Sequence, residues 1–255
     1  MQKNQIKYIS SLYNKKDRHL EHMVILDGLR LIHEAFKGNG KINTLLYTND
    51  FINNKKFNKY AKELLDSNIK SEIIKNSELR KISNNKNPQG IIALCDFIPM
   101  KISDIGSCQS NWIILDNISD PGNLGTILRT AEWFGIKNVL ASTESVDLYN
   151  DKVLRAGMGA HFYFNNIIQD KLTLGVKKLK DSGYSIIGSR VSGENINTIQ
   201  TNKKWALVMG NEANGISNHI KPHIDRYVTI PQDGNVESLN VAIACGIILN
   251  RISQP

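Results

Sequence analysis

The sequence predicts an α/β protein of two parts: a small α/β domain over residues 1–98 and a larger domain over 112–255 built on a parallel sheet, with 99–111 as a linker. Three observations predict it. Short apolar runs alternate with segments of helical period along the chain, the pattern of strands covered by helices. The charge divides unevenly, with 17 Lys and Arg against 10 Asp and Glu in residues 1–98, but 15 against 14 in residues 99–255. Between the halves lies "PMKISDIGSCQSN", a Pro/Gly/Ser-containing stretch without a sustained period.

In the first half, Ile6, Ile9 and Tyr13 stand at helical spacing. "HMVIL" (22–26) reads as a strand, and "DGLRLIHEAFKGNG" as a helix ending at Gly38 or Gly40. A strand at 44–48, a polar helix near 53–66, a strand around Ile73-Ile74 and a strand in 90–98 follow. In the second half, strands are expected at 112–115, 138–142, 184–189, 205–210 and 227–230. Helices are expected after 120, where Leu124, Ile127, Leu128 and Ala131 share a face, and near 170–181, 215–224 and 239–251. Ligands of such a sheet gather at the carboxyl ends of its strands.

Composition bounds the function. A chain of 255 residues, 41% hydrophobic and 22% charged, can bury a substantial core. Cys95, Cys108 and Cys245 stand alone, which argues against a zinc cluster or a disulfide framework and suits a reducing compartment. No apolar run is long enough to span a bilayer, and the first residues lack the apolar centre of a signal peptide, so a cytoplasmic protein with no membrane partner is expected. The excess of +7 in residues 1–98, carried by Lys15, Lys16, Arg18, Lys55, Lys56, Lys59, Lys62, Arg80, Lys81 and Lys86 among others, suits a polyanion-binding domain. His219 and His223 are four apart with Pro222 between them and no carboxylate ligand evident, so no metal is expected. No G-x-G-x-x-G or G-x-x-x-x-G-K-[ST] occurs, and nothing around Ser238 resembles a Ser-His-Asp triad.

Three polar, Gly-containing loops each follow an expected core strand. After 112–115 comes "DNISDPGNLGTILRTAEWFG", where Pro121, Gly122 and Gly125 enter a helix that Asp120 or Asn123 can cap and that carries Arg129 off its apolar face. After 205–210 comes "GNEANG", with Glu212. After 227–230 comes "IPQDGNVESLN", with Glu237, Ser238 and Asn240 leading into "VAIACGIIL" and Ser238 as a candidate helix cap. One such loop is an ordinary turn; three on successive core strands point to a site.

In order and spacing, these loops resemble the three motifs of the SpoU (TrmH-type) RNA 2′-O-ribose methyltransferases of the SPOUT superfamily, over 117–135, 207–217 and 230–247. "SVDLYNDKVLRAGMGAHF" (145–162) is similar to a family segment after the first motif. "VILDGLRLIHEAF" and "NPQGIIAL" more loosely resemble the substrate-binding domain of ribosomal-protein L30e type that precedes the catalytic domain in many members. Two departures stand out: Asp27-Gly28 where Glu-Gly is frequent, and Ala213-Asn214 where a second glycine is common. The resemblance implies a SPOUT domain whose C-terminal segment forms a trefoil knot, although knots are otherwise very rare, and a homodimer with active sites at the interface.

It also implies a chemistry: transfer of a methyl group from S-adenosyl-L-methionine to a ribose 2′-hydroxyl of structured RNA, with 23S-type large-subunit rRNA as first expectation and tRNA as second. Attack on a sulfonium methyl removes charge, so alignment matters more than electrostatic stabilisation. By family correspondence Gly210, Ile230 and Leu239 contact the cofactor, and Arg129, Asn117, Glu212, Ser238 and Asn240 are the catalytic positions. Arg129 suits an anchor for ribose or phosphate better than a base, because guanidinium holds its proton firmly. The rival expectations are a non-catalytic RNA-binding assembly factor, which these intact polar positions disfavour, and a nucleotide-binding α/β enzyme without an RNA substrate, which the basic N-terminal half disfavours.

Overall fold

A computed structural model describes residues 1–53, 59–105, 110–201 and 204–253; Lys55, Lys56 and Cys108 lie outside the described residues. The chain forms two compact units, Met1–Pro99 with Tyr149–Tyr163, and Met100–Leu148 with Phe164–Pro255.

The first unit contains helices α1 (Lys3–Ser11) and α2 (Lys15–Glu21), strand β1 (Met23–Asp27), α3 (Leu29–Lys37), β2 (Lys41–Tyr47), α4 (Asn49–Ile52), α5 (Lys59–Leu65), β3 (Lys70–Ile73), α6 (Asn76–Ile82) and β4 (Ile91–Asp96). Its sheet runs β1-β4-β2-β3, with β4 antiparallel to both neighbours and β2 parallel to β3. Alternation along the strands makes two apolar faces. Val24, Leu26, Leu45, Ile91, Ala93 and Cys95 share one core with Leu31, Ile32 and Ala35 of α3 and Ala61 and Leu64 of α5. Ile25, Leu46, Ile92 and Leu94 share another with Ile9 and Leu12 at α1 and with Leu79 and Ile82 of α6.

The second unit contains β5 (Trp112–Leu115), α7 (Pro121–Trp133), β6 (Asn138–Ala141), β7 (Asn166–Gln169), α9 (Leu172–Asp181), β8 (Ser185–Asn195), β9 (Trp205–Met209), β10 (Arg226–Thr229) and α10 (Val241–Ile252); α8 (Asp151–Gly157) falls between β6 and β7 in sequence. All neighbours in its sheet, ordered β10-β8-β9-β5-β6-β7, are parallel. The central strands are buried throughout, as a sheet covered on both faces requires. At its amino edge, Asn166 Nδ2 donates to Asn138 Oδ1 at 2.7 Å, and Asn138 Nδ2 donates to the carbonyls of Ser110 and Asn111 at 3.0 and 3.1 Å. These buried amides are satisfied by one another and by backbone, as burial demands. At its carboxyl edge Leu115 is level with Ala141 on one side and Met209 on the other. The chain leaves β5 toward β6 and leaves β9 toward β10 on the opposite side, so β5 and β9 flank a topological switch point, where ligands of such sheets bind.

Several expectations differ from this structure. Residues 149–163, read as part of the second domain, belong to the first unit: Leu154 and Phe162 join its core, and Tyr163 Oη donates to Glu34 Oε2 at 2.8 Å. The expected linker is not one throughout, since Ile102 and Ile105 are buried in the second unit's core and Met100 bridges to Ile168. The segment 215–224 forms only a 3-10 turn at Lys221–His223, where Pro222 removes a backbone donor. The helices α2, α6 and α8 and the strand β7 go beyond the elements expected from sequence.

Candidate functional site

The site is built where β5, β9 and β10 end. After β5, the Asp116 N–H donates to the Met209 carbonyl at 2.9 Å, extending the β5–β9 ladder by one bond. The buried Asp116 carboxylate accepts from the Ser217 N–H at 2.7 Å, which pins the far end of the loop after β9. Asn117 then turns the chain with φ +58°, a left-handed conformation that asparagine tolerates better than most residues. Its N–H donates to Ser142 Oγ and the next N–H, of Ile118, to Ser145 Oγ, both at 3.0 Å. Its carbonyl accepts from Asn211 Nδ2 at 2.9 Å. Asn117 thus acts on its neighbours through its backbone.

Asp120 caps α7, its Oδ1 accepting from the Asn123 N–H at 2.7 Å, and Pro121 occupies the first helical position. The capping choice left open by the sequence is thereby settled, and it frees the Asn123 side chain for another task. Asn123 Nδ2 donates to Glu212 Oε1 at 2.6 Å, and Asn123 Oδ1 accepts from Asn240 Nδ2 at 3.0 Å. One amide joins the first turn of α7 to the loops after β9 and β10, across 89 and 117 residues of sequence.

The loop after β9 is a closed turn, in which Asn211 and Gly215 exchange backbone hydrogen bonds at 3.0 and 2.9 Å. Asn211 Oδ1 accepts from the N–H groups of Ala213 and Asn214. At Gly210 a Cβ would fall 2.4 Å from the Gly215 carbonyl carbon and 2.5 Å from the Ile216 nitrogen. The need for glycine here comes from this backbone-on-backbone approach within the loop, not from space for a ligand alone.

At the third loop the sequence reading needs a correction. Asn240, not Ser238, is the N-cap of α10: its Oδ1 accepts from the Ala242 and Ile243 N–H groups at 2.9 and 3.3 Å. Ser238 lies two residues before the cap, exposed with Glu237. Gln232 Nε2 donates to the carbonyls of Gly234 and Val236 and shapes the loop. Ile230 is half-buried, and Leu239 is 44% exposed.

Arg129 lies on the exposed side of α7, and among the described residues it has no ion pair. The nearby carboxylate of Glu132 is engaged by Lys137 at 3.1 Å. The structure therefore brings together Asn117, Gly210, Glu212 and Asn240, and it leaves Arg129 and Ser238 outside their hydrogen-bond network. Sequence reasoning missed Asn123 as a junction and missed Asp116, Ser142, Ser145 and Asn211 as supports. Asn123 stood in the quoted motif, but its partners are set by the fold, and nothing local names them. Among the described residues there is no group of three His, Cys, Asp or Glu arranged to hold a metal ion, and no helix is long and apolar enough to cross a membrane.

The geometry agrees with known proteins. Residues 110–250 match the model of the SpoU rRNA Methylase family, and residues 3–93 match the MRM3-like substrate binding domain. The 23S rRNA (guanosine(2553)-2′-O)-methyltransferase RlmP of Bacillus subtilis is 28% identical over 97% of this chain and 95% of its own length. The 23S rRNA (guanosine-2′-O-)-methyltransferase RlmB of Neisseria meningitidis is 29% identical over 88% of this chain and 92% of its own length. The AdoMet-bound rRNA methyltransferase from Sinorhizobium meliloti superposes with a TM-score of 0.83 at 26% identity, over 98% of this chain and 94% of that one. With its family model spanning more than half of the sequence and its three loops assembled at the carboxyl edge of a parallel sheet, the chain belongs to the SpoU rRNA methylase family.

Proposed function

We propose that this chain transfers a methyl group from S-adenosyl-L-methionine to a ribose 2′-hydroxyl of large-subunit ribosomal RNA. The observation that carries the reading is the link Glu212–Asn123–Asn240, which holds two of the three loops to the start of the helix bearing Arg129. Relatives named as 23S rRNA 2′-O-methyltransferases, matched along nearly the whole chain, support the substrate.

The loop residues fit such a cofactor. Ile230 and Leu239 offer apolar surface that is not fully buried, and residues 231–239 are exposed beside it. With Gly210 they are the proposed cofactor contacts. S-adenosyl-L-methionine, when bound, supplies a methyl group activated by its sulfonium. The chain's own task is alignment, which can supply roughly 7–11 kcal/mol of the barrier. Arg129 anchors the ribose or its phosphate as a permanent cation. Glu212 and Asn240, held by Asn123, orient the substrate side of the site; Asn117 fixes the loop from behind, and Ser238 offers a hydroxyl to the ribose.

The reading includes a homodimer and the family's C-terminal knot. Trp133 on α7, 82% exposed, and Ile243 and Ile247 on α10 leave apolar surface on two helices that pack on each other. Surface of this kind suits a second copy of the chain. The domain before Pro99 serves as the RNA-binding domain, and the expected compartment is the cytoplasm, with its ribosomal RNA.

The test is to incubate the protein with methyl-labelled S-adenosyl-L-methionine and total RNA lacking the modification, then fractionate. Label in large rRNA, recovered as an alkali-resistant 2′-O-methylated dinucleotide and lost with Arg129→Ala, is the expected result. Label confined to tRNA replaces the substrate, and tight RNA binding without label replaces the reading by that of an assembly factor.

A further inference from the structure

β7 is an edge strand of the second unit's sheet, and its last residue, Gln169, reaches the carboxyl edge level with Ala141, where the loop after β6 begins. The side-chain amide of Gln169 is directed at that loop. Nε2 donates to the carbonyls of Ser142, Ser145 and Val146 at 3.1, 2.9 and 3.4 Å, and Oε1 accepts from the Leu148 N–H at 3.4 Å. Carbonyls at one end and an N–H at the other fix which end of the amide is which. The β6–β7 ladder is made by backbone groups and leaves this amide out. The amide therefore serves the loop rather than the sheet.

The loop passes its geometry on. Ser142 Oγ and Ser145 Oγ are buried 3.0 Å apart, and they accept from the N–H groups of Asn117 and Ile118. The Val146 N–H returns a bond to the Ile118 carbonyl at 2.9 Å. The serine oxygens meet those N–H groups only while the backbone under them stays where Gln169 holds it. Asn117 in turn has a positive φ, a conformation that persists where its surroundings impose it. Its carbonyl receives the Asn211 side chain, and Asn211 closes the turn that follows Gly210. A continuous series of hydrogen bonds thus runs from the end of β7 to the end of β9, which stand three places apart in the sheet.

We propose that Gln169 is a positioning residue for S-adenosyl-L-methionine: through the loop after β6 and the turn at Asn117 it sets the loop that carries Gly210. The inference rests on Gly210 as a cofactor contact in the reading above and extends the site to the edge strand of the sheet. Its place in the series also explains why an amide, with donors and an acceptor on one flat group, stands at the end of an otherwise apolar strand core.

The experiment measures equilibrium binding of S-adenosyl-L-methionine and, separately, of transcribed large-subunit rRNA by the full chain. Gln169→Met keeps the length of the side chain and removes every bond to the loop. It is expected to raise the cofactor Kd about tenfold, while the RNA Kd, carried mainly by phosphate contacts, changes less than about twofold. Ser142→Ala deletes a single hydroxyl and should raise the cofactor Kd about fivefold, which keeps the proposal testable if Gln169→Met does not fold. Adding Asn211→Ala to either variant should weaken cofactor binding much less than Asn211→Ala does alone, because the links act in series; a merely structural role for Gln169 gives additive losses instead. An unchanged cofactor Kd in both variants, additive losses, or equal weakening of cofactor and RNA would overturn the inference. Methyl transfer measured on the same preparations separates the two ideas. Label from the parent with an unchanged cofactor Kd in the variants removes the Gln169 proposal alone. Cofactor binding that weakens as expected, without label from the parent, removes only the enzymatic reading.

Discussion

Glu212, Asn123 and Asn240 in the second unit come from three places in the sequence and are bonded side chain to side chain. In the first unit Arg80 and Lys86 face a cavity with no ion pair among the described residues, and Lys3, Lys7, Lys75 and Lys81 line a second concavity. The second unit fixes these polar side chains to one another, whereas among the described residues Arg80 and Lys86 of the first have no ion pair. Methyl transfer depends on the alignment of reacting groups, so its side chains are held before substrate arrives. Attraction of a phosphate backbone depends on charge density and tolerates mobile lysines. The contrast predicts that substitutions in the two units separate rate from affinity.

The largest effects should show that separation most sharply. Arg129→Ala is expected to lower kcat about 100-fold or more while the RNA Kd stays within about threefold, because it removes positioning at the reacting end. The triple change Lys7→Gln, Lys75→Gln, Lys81→Gln should do the reverse. It should weaken RNA binding about tenfold near 0.15 M salt, flatten the salt slope, and leave kcat at saturating RNA unchanged. Single-turnover kinetics together with binding isotherms measure both, and a triple variant with normal affinity would dissolve the contrast.

Next come the two glycines that let backbone pack on its neighbours. Gly210→Ala places a carbon 2.4 Å from backbone with nothing flexible to give way, and it is expected to cost about 1–3 kcal/mol and to abolish methyl transfer. Gly90→Ala meets Phe51 Cβ at 2.9 Å in a left-handed conformation, and it should cost a similar amount but weaken RNA binding instead. Thermal melts alongside both assays distinguish them.

Much of this site was legible because Gly and Pro punctuate the loops and the strands before them are unbroken apolar runs. "WIIL" and "WALVM" carry no polar residue, so their direction and burial followed from pattern. The link through Asn123 was not legible: a residue at the start of a helix reads as a cap, and its partners lie 89 and 117 residues away. The same limit hid the allegiance of residues 149–163, since a helix seven residues long carries no mark of which core receives it. β7 escaped for a different reason. "NIIQ" begins and ends with amides, and only the neighbouring Asn138 explains why an asparagine is buried there.

The corrected cap gives a smaller test. Asn240→Ala should cost about 1 kcal/mol through loss of the cap on α10 and should also release Asn123 from one of its two bonds. Ser238→Ala should leave stability unchanged. Equal losses from the two changes would return the cap to Ser238.

The smallest effects are expected where both units are alike, in their exposed ion pairs. In the second unit Arg226 hydrogen-bonds the Glu194 carboxylate through two nitrogens, and its guanidinium holds that carboxyl below the ordinary range. In the first, Lys37 and then His33 do the same to Glu63. A carboxyl depressed in the folded state favours folding above its unfolded pKa of about 4.3, and that contribution is lost as pH falls through the lower folded value. Glu194→Gln and Glu63→Gln should therefore each lower Tm by about 1–2 °C near pH 7 and by nothing measurable near pH 2.5, because solvent and salt screen both pairs. Melts of the two variants across that range test whether the units differ only in their functional groups. A large loss from one variant would mean that its unit depends on surface charge for its fold as well as for its ligand.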